Sequence, residues 1–129
     1  MHDDEYVRAL RAGREEGVHA LDEPAGKKIL QGAGIRVPRS VVVKVGDDLR
    51  KAAAGLQAPF VLKLVAKGIV HKSDIGGVRL NLRTAGELAA AAEELHASLR
   101  SQGITPHARL VEEMAPRGKE VVVGGTMDP

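Results

Sequence analysis

The sequence predicts an α+β domain in which helices pack on one face of a small mixed or antiparallel sheet. Segments rich in β-branched residues alternate along the chain with segments whose apolar residues recur at helical spacing. They follow in the order strand, helix, two strands, helix and strand. A length of 129 residues is enough for one domain and marginal for two.

The composition excludes several classes of protein. The formal net charge is only +2 and the aromatic residues are Tyr6 and Phe60, so neither a basic footprint nor stacking platforms for nucleic acid are predicted. There is no cysteine, hence no disulfide framework or thiolate metal site. No apolar run approaches the roughly 18 residues of a membrane span, and the polar N-terminus is unlike a signal peptide. We therefore expect a cytoplasmic protein with no membrane or nucleic-acid partner.

Two helices are predicted before the first strand. The range 3–16 carries apolar residues at helical spacing and ends before Gly17. Asp22 is expected to cap a second helix that Gly32 and Gly34 end. The buried side of this second helix is predicted to carry Ala25, Ile29 and Leu30.

Four further segments predict strands that share one sheet, namely residues 40–45, 60–65, 78–82 and 108–114. Glu120 to Val123 is β-branched and predicts the start of another strand. Asp47 is expected to cap a helix that extends to Leu56. Thr84 and Glu87 have the spacing of a capping box. The helix that follows them has an apolar stripe of Leu88, Ala91, Ala92, Leu95 and Leu99.

The loop between the second and third strands concentrates cationic groups beside two glycines. Alternation places Lys63 on one face of its strand with Val61 and Val65, where an ammonium group needs an anionic partner or water. The loop then adds Lys67, His71, Lys72, Asp74, Gly76 and Gly77. Glycines let a backbone approach a phosphate closely, although the sequence has no GxxxxGK[ST] motif. Phosphate binding and an exposed hairpin with solvated charges are the two interpretations of this pattern.

Larger motifs favour the first interpretation. They are VLK at residues 61–63, HKSDIGGVRLNL at 71–82 and LVEEMAPRGKEVVVGG at 110–125, preceded by KKILQGAGIRVPR at 27–39. In order and spacing, from about Asp22 to Pro129, the chain resembles an ATP-grasp domain. More closely, it resembles the ATP-grasp part of the NDP-forming acyl-CoA synthetases, relatives of succinyl-CoA synthetase. The resemblance implies the first lobe of an ATP-grasp fold.

The resemblance also implies roles for the matched residues. Lys63 would contact the nucleotide phosphates, and His71 would be a phosphohistidine that relays the phosphoryl group between the CoA-ligase part and the nucleotide. The loop that closes over the phosphates would contain Lys72, Ser73, Gly76 and Gly77. A snorkelling Lys63 and a solvated loop histidine are the structural alternatives.

A second set of roles falls on the last predicted strand and the segment after it. The resemblance implies a hinge whose main chain pairs with the adenine edge, formed by Glu112, Glu113 and Met114, within one residue of register. Glu120 would hold the ribose hydroxyls. Exposed strand charges are the alternative for Glu112 and Glu120, because alternation alone produces them.

The implied function is the nucleotide-phosphate-binding lobe of an NDP-forming acid–CoA ligase, which interconverts acyl-CoA, NDP and phosphate with acid, CoA and NTP. The cofactor would be ATP or ADP with Mg²⁺, whose ligands are expected in a second lobe, and the partner a CoA-binding and ligase domain or subunit. Residues 1–20 would form a helical extension, 21–116 the lobe and 117–129 the truncated start of the second lobe, leaving this chain inactive alone. The alternative is a non-catalytic nucleotide-sensing or protein-interaction module derived from the same lobe.

Overall fold

The computed structural model describes residues 23–67 and 75–126, together with Arg8 and Arg11. These residues form helix α1, strand β1, the one-turn helix α2 with a 3₁₀ turn after it, strands β2 and β3, helix α3 and strand β4. Their bounds in chain order are Glu23–Gly32, Ser40–Lys44, Leu49–Ala52 with Ala53–Gly55, Phe60–Val65, Val78–Leu82, Ala85–Ser101 and Ala108–Glu113. The helix predicted over residues 3–16, apart from Arg8 and Arg11, and the cap predicted at Asp22 lie outside the described residues.

The four strands form a single antiparallel sheet in the order β1-β4-β2-β3. Strand β4 therefore lies between β1 and β2 although it comes last in the chain. It pairs Glu112 with Ser40 on one side and with Val61 on the other. The prediction that these four segments share one sheet is confirmed, and the sheet is antiparallel rather than mixed.

The main core lies between one face of this sheet and helices α2 and α3. Burial of these apolar side chains is the principal stabilising contribution to the fold. The largest fully buried members are Leu62, Leu64, Leu88, Leu95, Leu99 and Val111, and Phe60 and Val43 pack with them. The apolar stripe predicted for α3 is therefore the stripe that is buried.

The ends of α3 follow from local chemistry. The Thr84 side chain accepts a hydrogen bond from the N–H of Glu87 at 3.1 Å, as an N-cap should. The Glu87 carboxylate accepts from the N–H of Arg83 at 2.6 Å, one residue before the donor of a standard capping box. At the other end Gly103 has φ 76° and the N–H of Ile104 donates to Leu99 at 2.9 Å, a Schellman motif.

Three local predictions are wrong. The cap of α2 is Asp48 rather than Asp47, because it is Asp48 whose side chain accepts the N–H of Arg50 at 2.9 Å. Helix α2 makes one α-helical turn and then tightens into the 3₁₀ turn before Leu56. On α1, Leu30 is 43% exposed and no residue is fully buried. No α1 residue belongs to the main apolar core, and Ala25 and Ile29 are only half-buried.

The strand predicted at residues 120–123 is also absent. This segment lies outside the sheet, and Val121, Val122 and Val123 are 80%, 96% and 91% exposed. A β-branched run becomes a strand only where a neighbouring strand pairs with it, and no described strand pairs with this one. Within the described residues, no helix is long and apolar enough to cross a membrane.

Candidate functional site

Lys63 lies on the face of β2 opposite the main core. Except for Lys63, the residues of β2 are buried on both faces of the sheet. The alternation of the strand turns Lys63 toward the face opposite the main core, together with Val61 and Val65. On that face Val65 packs with Ala108 and Leu110 of β4. The Lys63 side chain is 21% exposed. A rigid, paired strand therefore fixes the position from which this ammonium group acts.

Lys63 and three charged side chains around it alternate in sign, and we call these four the charge ring: Glu23 and Lys27 of α1, Lys63 of β2 and Glu112 of β4. Lys63 Nζ lies 2.5 Å from Glu23 Oε1 and 3.5 Å from Glu112 Oε1. Lys27 Nζ lies 3.3 Å from Glu23 Oε1 and contacts Glu112 Oε2. Each cation thus contacts both carboxylates, which offsets the cost of removing these charges from water.

The charge ring shows that helix α1 partly covers the Lys63 face of the sheet. Helix α1 reaches this face through Glu23 and Lys27, which link it to β2 and β4. The reason is that a partly buried ammonium group needs a counter-ion. Glu112 supplies one from within the sheet, and the first turn of α1 supplies the other. Of the two options that the sequence left open for Lys63, an anionic partner or water, the structure shows anionic partners.

Sequence reasoning missed Glu23 and Lys27 as site residues. Their spacing of four, with glutamate before lysine, is the favourable orientation for an ion pair along a helix. That signal was present in the sequence, but it indicates only a helical surface pair. The position of this pair above Lys63 follows from the tertiary fold.

The loop that carries the other predicted phosphate contacts is described only at its end. His71, Lys72 and Ser73 lie outside the described residues. Gly76 is exposed with φ 72°, a conformation that residues with a Cβ rarely adopt. Gly77 is buried, and its carbonyl accepts the N–H of Leu64 at 3.0 Å. The side-chain amide of Gln102 donates to the carbonyl of Ile75 at 3.0 Å, which fixes this end of the loop to the end of α3.

The predicted hinge has its N–H groups already engaged. The N–H of Glu113 donates to the carbonyl of Arg39 at 2.9 Å, and that of Met114 donates to the carbonyl of Pro59 at 3.0 Å. The Glu113 carboxylate accepts the N–H of Gln57 at 2.7 Å, on the opposite side of β4 from Glu112. The structure therefore brings Glu112 to Lys63 and directs Glu113 away from it. Glu120 is exposed in the segment after β4.

A separate cleft of about 520 Å³ lies between the start of α2 and the exposed flank of α3, with His96 and Arg109 in its wall. Burial lowers the pKa of His96, and the positive charges of Arg109 and Arg100 lower it further. Burial also lowers the pKa of Arg109, whose guanidinium donates to the carbonyls of Lys44 at 3.0 Å and Asp47 at 2.7 Å. These bonds hold Arg109 as part of the structure of the β1–α2 turn.

The family model of the ATP-grasp domain matches residues 12–129 of this sequence. The chain belongs to the ATP-grasp family. It is 34% identical over 129 residues to the beta subunit of acetate–CoA ligase (ADP-forming) II of Pyrococcus furiosus, an alignment that covers 97% of this chain and 54% of that protein. The predicted resemblance to NDP-forming acyl-CoA synthetases is thus confirmed. The chain spans 54% of that beta subunit and 48% of the beta subunit of acetate–CoA ligase (ADP-forming) I of the same organism.

Solved structures confirm the fold. A crystal structure of a Pyrococcus horikoshii protein superposes with a TM-score of 0.81 at 31% identity, covering 89% of this chain and 50% of that one. The acetyl-coenzyme A synthetase 1 of Candidatus Korarchaeum cryptofilum superposes with a TM-score of 0.69 at 30% identity, covering 88% and 46%. That protein is in complex with coenzyme A and Mg-AMPPCP, and its phosphohistidine segment points towards the nucleotide-binding site.

Proposed function

We propose that this chain is the nucleotide-phosphate-binding lobe of an NDP-forming acid–CoA ligase. The observation that carries the proposal is the position of Lys63, whose ammonium group is held by a central strand on the face opposite the core of an ATP-grasp chain. Phosphoryl transfer depends mainly on positioning and electrostatic stabilisation of the phosphates. A lysine on a rigid strand supplies both, as a fixed point charge.

The end of β4 supplies the backbone donor and acceptor that we propose to hydrogen-bond the adenine base of the nucleotide. Since the N–H groups of Glu113 and Met114 are engaged in the sheet, the first N–H after them is that of Ala115. Pro59 accepts the Met114 N–H but has no N–H with which to return a bond to the Met114 carbonyl. The Met114 carbonyl and the Ala115 N–H therefore form an acceptor and donor pair suited to an adenine edge. We propose Glu120 for the ribose hydroxyls, as the family resemblance implies.

Mg²⁺ would accompany the nucleotide and offset part of the phosphate charge. In the ranges 23–67 and 75–126, no three carboxylate or imidazole side chains cluster in a way that could hold a metal ion. We therefore assign no metal ligand to these residues, and their contribution rests on Lys63 and on the backbone near Gly76.

His71 is proposed as the phosphoryl relay. Support comes from its place in the HKSDIGGV motif and from the phosphohistidine segment of the Candidatus Korarchaeum relative. A nitrogen of the neutral imidazole would form the N–P bond as the bond between phosphorus and the donor atom breaks. Lys72 and Ser73 are proposed to contact the phosphates from the same loop.

Nucleotide binding is tested by titrating the chain with Mg-ADP and following backbone amide shifts by NMR. We expect shifts around Lys63, Gly76 and Ala115. Lys63→Met should weaken binding about tenfold or more, because a hydrogen bond to a charged group contributes about 1.5–3 kcal/mol. Lys28→Met removes an exposed lysine of α1 and is the matched control. Equal affinities for these two variants would contradict the proposal.

The relay is tested in a chimaera in which this chain replaces the matching half of the Pyrococcus furiosus beta subunit. With nucleotide and the remaining enzyme parts, we expect acid-labile, base-stable phosphate on the chain. His71→Ala should abolish both this label and acyl-CoA turnover, whereas His107→Ala, an exposed histidine next to β4, should retain both. Near-normal turnover in His71→Ala would refute the relay role.

A further inference from the structure

The two carboxylates of the charge ring contact its lysines differently. Glu112 uses separate oxygens, Oε1 for Lys63 and Oε2 for Lys27. Both lysines approach the same oxygen of Glu23, Oε1, which lies 2.5 Å from Lys63 Nζ and 3.3 Å from Lys27 Nζ. One anionic oxygen between two ammonium groups is also how two lysines would hold a phosphate oxygen. Glu23 Oε1 therefore stands where a phosphate oxygen of a ligand could bind.

The two carboxylates also differ in how firmly the fold holds them. Glu112 lies on the central strand β4, which is paired on both sides, and its side chain is 8% exposed. Glu23 lies in the first turn of α1, and its side chain is 23% exposed. Because α1 buries no residue fully, its first turn is held by less packing than the central strand β4. Glu112 is thus the fixed counter-ion of the ring, and Glu23 is the exchangeable one.

The net charge of the ring also supports exchange of Glu23 for a phosphate. With all four side chains present, two lysines face two carboxylates and the ring is neutral. When Glu23 moves away, the three remaining side chains of the ring, Lys27, Lys63 and Glu112, carry a net charge of +1. The ring then attracts an anion, and partial burial strengthens that attraction relative to water. A neutral ring with Glu23 in place would instead exclude a phosphate.

We propose that Lys27 is a second phosphate-binding cation beside Lys63, that Glu112 positions both lysines, and that a nucleotide phosphate displaces the Glu23 carboxylate. This inference rests on the proposed role of Lys63 in nucleotide binding. It adds α1 to the site and makes the first turn of α1 respond to the ligand. No group is transferred in this step, because one anion replaces another on the same pair of ammonium groups.

Binding of Mg-ADP to Glu23→Gln and Lys27→Met tests the proposal by NMR titration. We expect Glu23→Gln to bind several-fold more tightly than the unmodified chain, since the competing charge is gone. Lys27→Met should bind about tenfold more weakly. Glu93→Gln, an exposed carboxylate on α3, and Lys28→Met are the matched controls and should change little. Adenosine, which has no phosphate, should bind the unmodified chain and Glu23→Gln equally.

Amide hydrogen exchange supplies a second readout. Displacement of Glu23 should increase exchange in α1 when Mg-ADP binds, whereas unchanged or slower exchange in α1 would overturn the displacement. Glu23→Asp keeps the charge on a shorter side chain and should lie between the unmodified chain and Glu23→Gln in affinity. Thermal unfolding confirms that each variant is folded before titration.

The possible failures are distinguishable. If Lys63→Met weakens Mg-ADP binding while Lys27→Met and Glu23→Gln match their controls, this inference is wrong and the proposed function stands. If Lys63→Met also matches its control, the proposed function fails as well. A Glu23→Gln variant that tightens adenosine binding as much as Mg-ADP binding would show that the carboxylate does not compete with a phosphate.

Discussion

The two faces of the sheet carry different kinds of side chain. The face toward α2 and α3 carries fully buried apolar side chains, among them Leu62, Leu95 and Val111. The opposite face carries Lys63 and Glu112 within the charge ring. Alternation along β2 and β4 separates the two sets. The comparison shows that one pair of strands can supply a hydrophobic core and a charged site, one on each face.

The two faces also contribute differently to stability. Apolar burial stabilises the fold in proportion to the area removed from water. Ion pairs that are partly buried lose in desolvation much of what they gain in attraction, so the net contribution of the charge ring is small. Its effect is to hold two ammonium groups side by side. The loss of unfolding free energy should therefore be larger for variants on the apolar face than for variants on the charged face.

The largest effect is expected on the helical face. Leu95→Ala removes a fully buried side chain from α3 and should lower the free energy of unfolding by about 2–5 kcal/mol through lost burial and the cavity left behind. Urea unfolding measures the change. Leu80→Ala, on a strand residue that is 60% exposed, is the control and should change it little. Similar losses for the two would contradict the assignment of the core.

A smaller loss is expected on the charged face. Glu112→Gln leaves two lysines with one carboxylate and should destabilise the chain by about 1–3 kcal/mol. Glu94→Gln is the matched control, because Glu94 pairs with Arg79 at 3.8 Å through a side chain that is 69% exposed, and such surface pairs contribute little. If the two variants unfold at the same urea concentration, Glu112 does not hold the charge ring together.

The N-terminus of α3 should show an effect of about 1 kcal/mol. Thr84→Ala removes the oxygen that accepts the Glu87 N–H, and loss of an N-cap costs about that amount. Thr84→Ser retains the oxygen and should stay close to the unmodified chain. Thermal and urea unfolding compare the three proteins, and equal destabilisation by Ala and Ser would show that the cap does not act through this bond.

The smallest effect concerns pH. Because the folded pKa of His96 is lowered from 6.5, the unfolded chain binds its proton first as the pH falls. The stability that neutral His96 provides is therefore present above about pH 6.5 and is lost as the pH falls toward the lower folded pKa. His96 faces Arg100 and Arg109, and acidic residues line the same cleft, namely Asp47, Asp48 and Glu93.

His96→Gln should accordingly lose less stability than the unmodified chain between pH 7 and 5, as measured by urea unfolding at several pH values. His107→Gln, at an exposed position, is the control and should keep the pH dependence of the unmodified chain. A steeper acid dependence in His96→Gln would contradict the direction of the pKa shift.

Local patterns predicted most of the fold. A β-branched, apolar run gave β2 with its observed bounds, and alternation gave those of β3. Helical spacing together with Thr84 and Glu87 gave α3 with its buried stripe. These signals act over a few residues, so the sequence contains them directly. The cap of α2 was misplaced by one residue, because Asp47 and Asp48 are chemically equivalent N-caps and only the backbone path selects between them.

The candidate site was only partly predictable. The motif containing Lys63 pointed to phosphate, but its partner Glu23 lies 40 positions away along the chain, and no local pattern links the two. The sequence could not identify the hinge residues, because they depend on the sheet register. The hydrogen bond from the Met114 N–H to the Pro59 carbonyl decides which N–H groups remain for a ligand. The valines at 121–123 were wrongly predicted to form a strand. Their strand propensity is strong, but no described strand lies beside them to pair with.

The strand order has a consequence for how this chain folds during synthesis. Strand β1 does not touch β2, and its partner in the sheet is β4, which pairs Ser40 with Glu112. While the ribosome makes the chain, the β2–β3 hairpin and α3 can assemble first from contacts close in sequence. Strand β1 can join the sheet only after β4 has emerged, because β4 pairs with β2 on one side and with β1 on the other. Completion of the sheet, and of the charge ring that contains Glu112, is therefore among the last steps as this part of the chain folds.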